Sequence, residues 1–154
     1  PVYEKLHQLV EEKGVPVHSV CVGKEWYRFP SSFFLPAHAE IRWVRSAFDG
    51  QLPQPFASAA PNGTRETHAH FNDRNTIDAS SLSDVASCEY AVDIDLGEDR
   101  GAIGEWDKSW DRVACVPFMD VSRSPAGSRS FWVPFYSANR NVYVDYCLLR
   151  RRFV

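Results

Sequence analysis

The sequence has 154 residues, 44% hydrophobic and 24% charged, which supplies a packed core and excludes a wholly disordered chain. Its net charge of -3, from 17 basic and 20 acidic side chains, leaves no broad basic field and argues against nucleic acid as a partner. No apolar run reaches the roughly 18–20 residues of a bilayer-crossing helix, and no signal peptide is present. A chain that begins at Pro1 instead of Met reads as a piece of a longer protein, so these absences bear on the piece alone.

Val2, Leu6, Leu9 and Val10 recur at helical spacing and Gly14 follows as a stop, which predicts an amphipathic helix over 2–13. Pro16 then opens an apolar run, Val17 to Val22, read as a buried strand ending at Gly23. Pro30 and Pro36 bracket a stretch suited to one or two helical turns. Glu40 to Val44 reads as a strand, with Ile41 and Trp43 opposite Arg42. Residues 49–87 are rich in Pro, Gly, Ser, Asn and Asp and predict a long loop, with a short helix near Ser80 to Ala86. Cys88 to Leu96 returns as a strand, and residues 97–111 form a second polar loop. Three strands are expected to close the chain, near 112–121, 130–136 and 141–149, as an antiparallel meander turning at Gly127 and Asn139. The order points to an α/β or α+β fold in one domain over 1–154, with a mixed sheet of about five to six strands and an N-terminal helix.

Cys21, Cys88, Cys115 and Cys147 form no CxxC pair, so a zinc ribbon is unsupported. Three disulfide pairings remain open, and buried free thiols are the plainer reading because free cysteine packs as a small hydrophobe. His68 and His70 stand at i and i+2 near Asp73, which on a strand would aim both imidazoles at one ion. The surrounding composition is that of a loop, and exposed histidines are the plainer expectation. Asp93 and Asp95 share a strand face, fit for a cation or an acid/base pair, or simply a strand end entering solvent. No Gly-x-Ser-x-Gly and no phosphate-binding glycine loop occurs. Asn62-Gly63-Thr64 is an N-glycosylation acceptor triplet, with Asn62 in a Pro-rich loop. Arg150 to Arg152 read as a basic tail, either solvated or near anionic lipid.

The run Val20-Cys21-Val22-Gly23-Lys24-Glu25-Trp26-Tyr27-Arg28-Phe29-Pro30-Ser31-Ser32-Phe33-Phe34-Leu35-Pro36 carries a resemblance. So do Gly50 to Phe56, Asn72 to Asn75, Cys88 to Asp93, Pro117 to Ser124, Phe131 to Phe135 and Val142 to Tyr146. In order, they resemble the C-terminal region of the dolichyl-phosphate-mannose-dependent α-1,2-mannosyltransferases of N-glycan assembly, the asparagine-linked glycosylation protein nine family. The likeness covers residues 17–150 and weakens around 57–70 and 97–111.

The resemblance implies a multi-spanning endoplasmic-reticulum enzyme of the GT-C type, with this domain in the lumen. The donor would be dolichyl-phosphate mannose and the acceptor a dolichyl-diphosphate-linked oligosaccharide. The catalytic carboxylate is expected in a lumenal loop outside this chain, so no catalytic residue, metal or cofactor is expected within it. Expected partners are the acceptor and the transmembrane portion of the same protein. Sugar recognition needs aromatic faces beside hydroxyl-binding groups. Lys24, Glu25, Trp26, Tyr27 and Arg28 offer one such cluster, and Asn72, Asp73 and Asn75 another. The aromatic residues are otherwise core, or an interface to membrane helices. Two other readings are a stand-alone carbohydrate-binding module and a small enzyme built on Asp93, Asp95, His68 and His70.

Overall fold

A computed structural model describes residues 2–14, 17–24, 31–36, 39–46, 48–54, 63, 65–96 and 106–152. The first helix, α1, runs Val2–Lys13 and buries Val2, Tyr3 and Leu6. Gly14, at a φ of 60°, ends it by donating its N–H to the Val10 carbonyl, a conformation that costs a residue without Cβ little.

The strands are β1 (Ser19–Val22), β2 (Glu40–Trp43), β3 (Tyr90–Ile94), β4 (Trp110–Met119) and β5 (Tyr143–Arg151). They form one sheet in the order β2-β1-β3-β5-β4. β1 is parallel to both β2 and β3, while β3–β5 and β5–β4 are antiparallel. This is a mixed five-stranded sheet with an N-terminal helix, as the residue pattern predicted. Every residue of β1 and β3 is buried, as expected of inner strands covered on both faces.

One face carries Val20, Val22, Tyr90, Val92, Ile94, Tyr146 and Leu148, closed by Val2, Tyr3 and Leu6 of α1. Each such side chain contributes about 1.5–3 kcal/mol on burial. The tyrosine hydroxyls of Tyr3 and Tyr146 meet at 3.4 Å, joining the first helix to the last strand. The other face packs Cys21, Val44, Cys88, Ala91, Trp110, Cys147 and Leu149.

All four cysteines are paired, which corrects the free-thiol reading. Cys21 of β1 joins Cys88, and Cys115 of β4 joins its register partner Cys147 of β5. Spacing alone could not select these pairs; the sheet order does, by placing each pair on one face of neighbouring segments.

The closing meander is also corrected. Residues 130–136 are not a strand, and β4 and β5 are joined by two short helices, α2 (Ala126–Ser130) and α3 (Tyr136–Arg140). Pro125 and Pro134 cannot donate to a ladder, and serine hydroxyls replace it. The Ser137 hydroxyl accepts from the Val133 N–H at 2.9 Å and donates to the Phe131 carbonyl at 3.1 Å, turning the chain back. The helix expected near 80–86 is instead two 3-10 turns, 79–81 and 85–87. Asp78 and Asp84 each cap one of them, so the second capping aspartate interrupts what one helix would need. The long loop over 49–87 otherwise holds at its described residues, and 55–62 and 64 lie outside them. Of the loop expected over 97–111, residues 97–105 lie outside the described residues, 106–109 are one helical turn, and β4 starts at Trp110.

Arg150 and Arg151 of the basic tail are the end of β5, and Arg152 follows it. Arg150 and Arg152 both donate to Asp111, and Arg151 donates to the Val85 carbonyl and lies over the Trp110 ring. Chiefly through Arg152, the Asp111 carboxyl is held below the usual carboxylate range.

Candidate functional site

Among the described residues, a hollow with polar and aromatic walls lies between α1 and the 3-10 turn Ser31–Phe34. Glu4, His7, Gln8 and Glu11 stand at i, i+3, i+4 and i+7 on the flank of α1 that the core leaves free. Phe33 and Phe34 form the opposite wall, in a cleft of about 380 Å³. That volume falls within the roughly 300–1,000 Å³ of small-molecule clefts. The Phe33 ring is 82% exposed and stands edge-on to Phe34, with centroids 5.2 Å apart.

His7 Nε2 lies 3.0 Å from Glu11 Oε1, which fixes the imidazole along the helix. An open ring accepts the C–H face of a pyranose, and the carboxylates and carboxamide accept or donate hydroxyl hydrogen bonds. Two carboxylates beside one imidazole repel phosphate. The cleft therefore suits a neutral polyhydroxylated ligand better than a lipid phosphate.

This wall continues the segment singled out in the sequence. Lys24 sits in the turn after β1, at the carboxyl end of the parallel strands. Glu25, Trp26, Tyr27 and Arg28 lie outside the described residues, as does Asn62. The helix residues Glu4, His7, Gln8 and Glu11 were not predicted. Their four-residue polar stripe was visible, but such a stripe also describes any solvated helix face.

The second predicted cluster is taken up by the loop itself. The Asn72 carboxamide oxygen accepts from the N–H of Arg74 and from the N–H and hydroxyl of Thr76, while its nitrogen donates to the carbonyls of His70 and Thr76. Asn75, at a φ of 50°, accepts from the Gln51 N–H, and Gln51 donates back to the Asn72 carbonyl. Both asparagines thus staple residues 70–76 to Gln51, and only Asp73 of the three projects freely from this knot of contacts.

The histidine and aspartate pairs do not converge. His70 is held between Asp78, at 3.2 Å, and the Ser80 hydroxyl, at 3.1 Å. The same hydroxyl, more than His70, lowers the Asp78 pKa. His68 packs edge-on to Phe71 instead. Asp93 is buried within β3, whereas Asp95 and Asp145 share Arg112, at 3.2 and 3.1 Å. Among the described residues, the only convergent trio of potential metal ligands is Cys115, Asp145 and Cys147. Two of its members are the sulfurs of a disulfide, which removes the thiolates a metal would need.

Alpha-1,2-mannosyltransferase ALG9 of Mus musculus is 43% identical to this chain over 143 residues, which is 91% of the chain and 23% of the mouse protein. The ALG9 of Homo sapiens matches equally, at 43% over 143 residues. That of Saccharomyces cerevisiae is 32% identical over 173 residues, 97% of this chain and 31% of the yeast protein. Over about nine tenths of its own length, the chain is homologous to the ALG9 mannosyltransferases. It spans about a quarter of the length of these ALG9 relatives and corresponds to a C-terminal fragment of them. No family model and no solved structure matches it. Among the described residues, no helix is long and apolar enough to cross a membrane.

Proposed function

We propose that this chain is the lumenal domain of an endoplasmic-reticulum α-1,2-mannosyltransferase, and that it holds the acceptor oligosaccharide in the cleft between α1 and Phe33–Phe34. The donor is dolichyl-phosphate mannose, and bond formation takes place on a membrane-embedded portion of the protein. The homology along 91% of the chain carries this reading. The two disulfides support an oxidising compartment, where such bonds persist. The acidic, ring-walled cleft supports a sugar ligand over the phosphate end of the lipid carrier. Holding one branch of a flexible glycan in register contributes to rate through orientation, without any reacting group in this domain.

The test is acceptor titration of the 154-residue chain followed by nuclear magnetic resonance. A high-mannose oligosaccharide should shift the resonances of His7, Gln8 and Phe33. Gln8→Ala with Phe33→Ala should weaken that binding by roughly tenfold, the loss of one stacked ring and one hydrogen bond. In a full-length ALG9, the same pair of changes should raise the KM for acceptor and leave that for dolichyl-phosphate mannose unchanged. Shifts confined to other parts of the domain, or equal effects on both substrates, would refute the assignment.

A further inference from the structure

The link between β4 and β5 presents an apolar surface that the cleft does not use. Phe131 is 78% exposed, Trp132 63% and Phe135 85%, with Val133 and Tyr136 half out beside them. These are neighbours in one turn, so the surface is continuous.

A fixed frame holds them outward. Ser137 is fully buried and ties the Phe131 carbonyl to the Val133 N–H. The Ser128 hydroxyl donates to Asn141 Oδ1 at 2.6 Å, and Asn141 Nδ2 donates to the Ser128 carbonyl. The base is closed by Asp120 and Val142, whose backbones bond at 2.8 Å. Phe135 itself has a φ of 63°, in the left-handed region that bulky residues avoid. The frame thus stabilises a strained backbone that turns a phenyl ring into solvent.

Charge selects the occupant. Residues 121–144 contain Arg123, Arg129 and Arg140 and no Asp or Glu, within a chain of net charge -3, and only Arg123 is matched, by Asp120 just before them. Arg129 donates to the Val121 carbonyl, and Arg140 lies 4.7 Å over the Tyr136 ring. Among the described residues, neither has a carboxylate partner. Trp, Tyr and Phe at a tip, flanked by two arginines without carboxylate partners, is the composition that settles at a membrane–water interface. The link leaves the sheet at the end where β4 stops and β5 starts, with Met119 opposite Tyr143.

We propose that the Phe131–Tyr136 knob seats this domain on a bilayer surface, with Phe131, Trp132 and Phe135 entering the interface and Arg129 and Arg140 meeting lipid phosphates. The contact lies on the surface and spans nothing. It does not depend on whether the cleft binds glycan.

Co-sedimentation of the 154-residue chain with vesicles tests this. Phosphatidylcholine vesicles containing phosphatidylserine should bring down the chain, and phosphatidylcholine alone should bring down less. W132S with F135S should lower the bound fraction by roughly tenfold or more, because two inserted rings are lost. Both side chains are exposed, so the circular dichroism and melting of this variant should match the unchanged chain. R129Q with R140Q should abolish the preference for the anionic vesicles while leaving binding to phosphatidylcholine. The proposal fails if the unchanged chain stays in solution with both vesicles, or if W132S with F135S binds as well as it does. It also fails if the knob instead mediates self-association, seen in sedimentation velocity as a dimer that the same variant removes.

Discussion

Asp120 shows how one side chain sets the geometry of a surface. Its carboxylate accepts from the Ser122 hydroxyl and N–H at 2.6 and 2.9 Å, and from Arg123 Nε at 2.5 Å and N–H at 3.2 Å. The Ser122 hydroxyl, then the Arg123 guanidinium, bring its pKa down to about 2. A carboxyl whose folded pKa lies below its unfolded value, near ~3.9, stabilises fully above the latter and loses that contribution as the pH falls toward 2. Urea unfolding at a series of pH values should therefore show wild-type stability declining below about pH 4 faster than that of Asp120→Asn. At neutral pH, Asp120→Ala should cost about 1–3 kcal/mol, since four donors lose a charged partner. None of this was visible beforehand. An aspartate followed by two serines and an arginine reads as an ordinary turn until the β4 end fixes its neighbours.

At the level of the element, periodic and continuous apolar runs were legible and hydroxyl-built structure was not. α1 declared itself through Val2, Leu6, Leu9 and Val10, because a helix must repeat its buried face every 3.6 residues. β1 and β3 declared themselves as mainly apolar runs, with Ser19 and Asp93 as their polar members, because a strand covered on both faces has no polar side. The link over 130–136, between α2 and α3, was misread as a strand. Phe131 to Phe135 has strand-like composition, while the serines that fold it back carry no periodic signal. The candidate cleft escaped for a related reason: polar residues on a helix flank look alike whether they face solvent or a ligand. The cysteines were visible and their partners were not. In the chain-entropy account, the Cys21–Cys88 link closes a separation of 67 residues and contributes about 4 kcal/mol. Replacing both by serine should lower the unfolding free energy by about 2–5 kcal/mol, read from the urea midpoint.

In the whole molecule, the first helix is laid on the last strand. Val2, Tyr3 and Leu6 cover Tyr146 and Leu148 through contacts between residues more than 140 positions apart, Tyr3 with Tyr146 among them. The two halves of the sheet, parallel at β2-β1-β3 and antiparallel at β3-β5-β4, share only β3. A helix that bridges to β5 from the segment before β1 locks those halves together. Leu6→Ala should cost about 2–5 kcal/mol and lower the urea midpoint without changing the slope, provided the sheet unfolds as one unit. This long-range closure was beyond the sequence. The pattern of α1 says that one side is buried, and nothing in it says against which strand.

The Cys21–Cys88 bond turns residues 22–87 into a closed ring whose ends are anchored on adjoining strands. In such a ring the anchor points cannot drift apart, whatever the intervening backbone does. Doubling the length of a flexible stretch inside it adds only about 0.6 kcal/mol of closure entropy. Extra residues between β2 and β3 should therefore leave the sheet register undisturbed, and this arc is where the domain can absorb insertions.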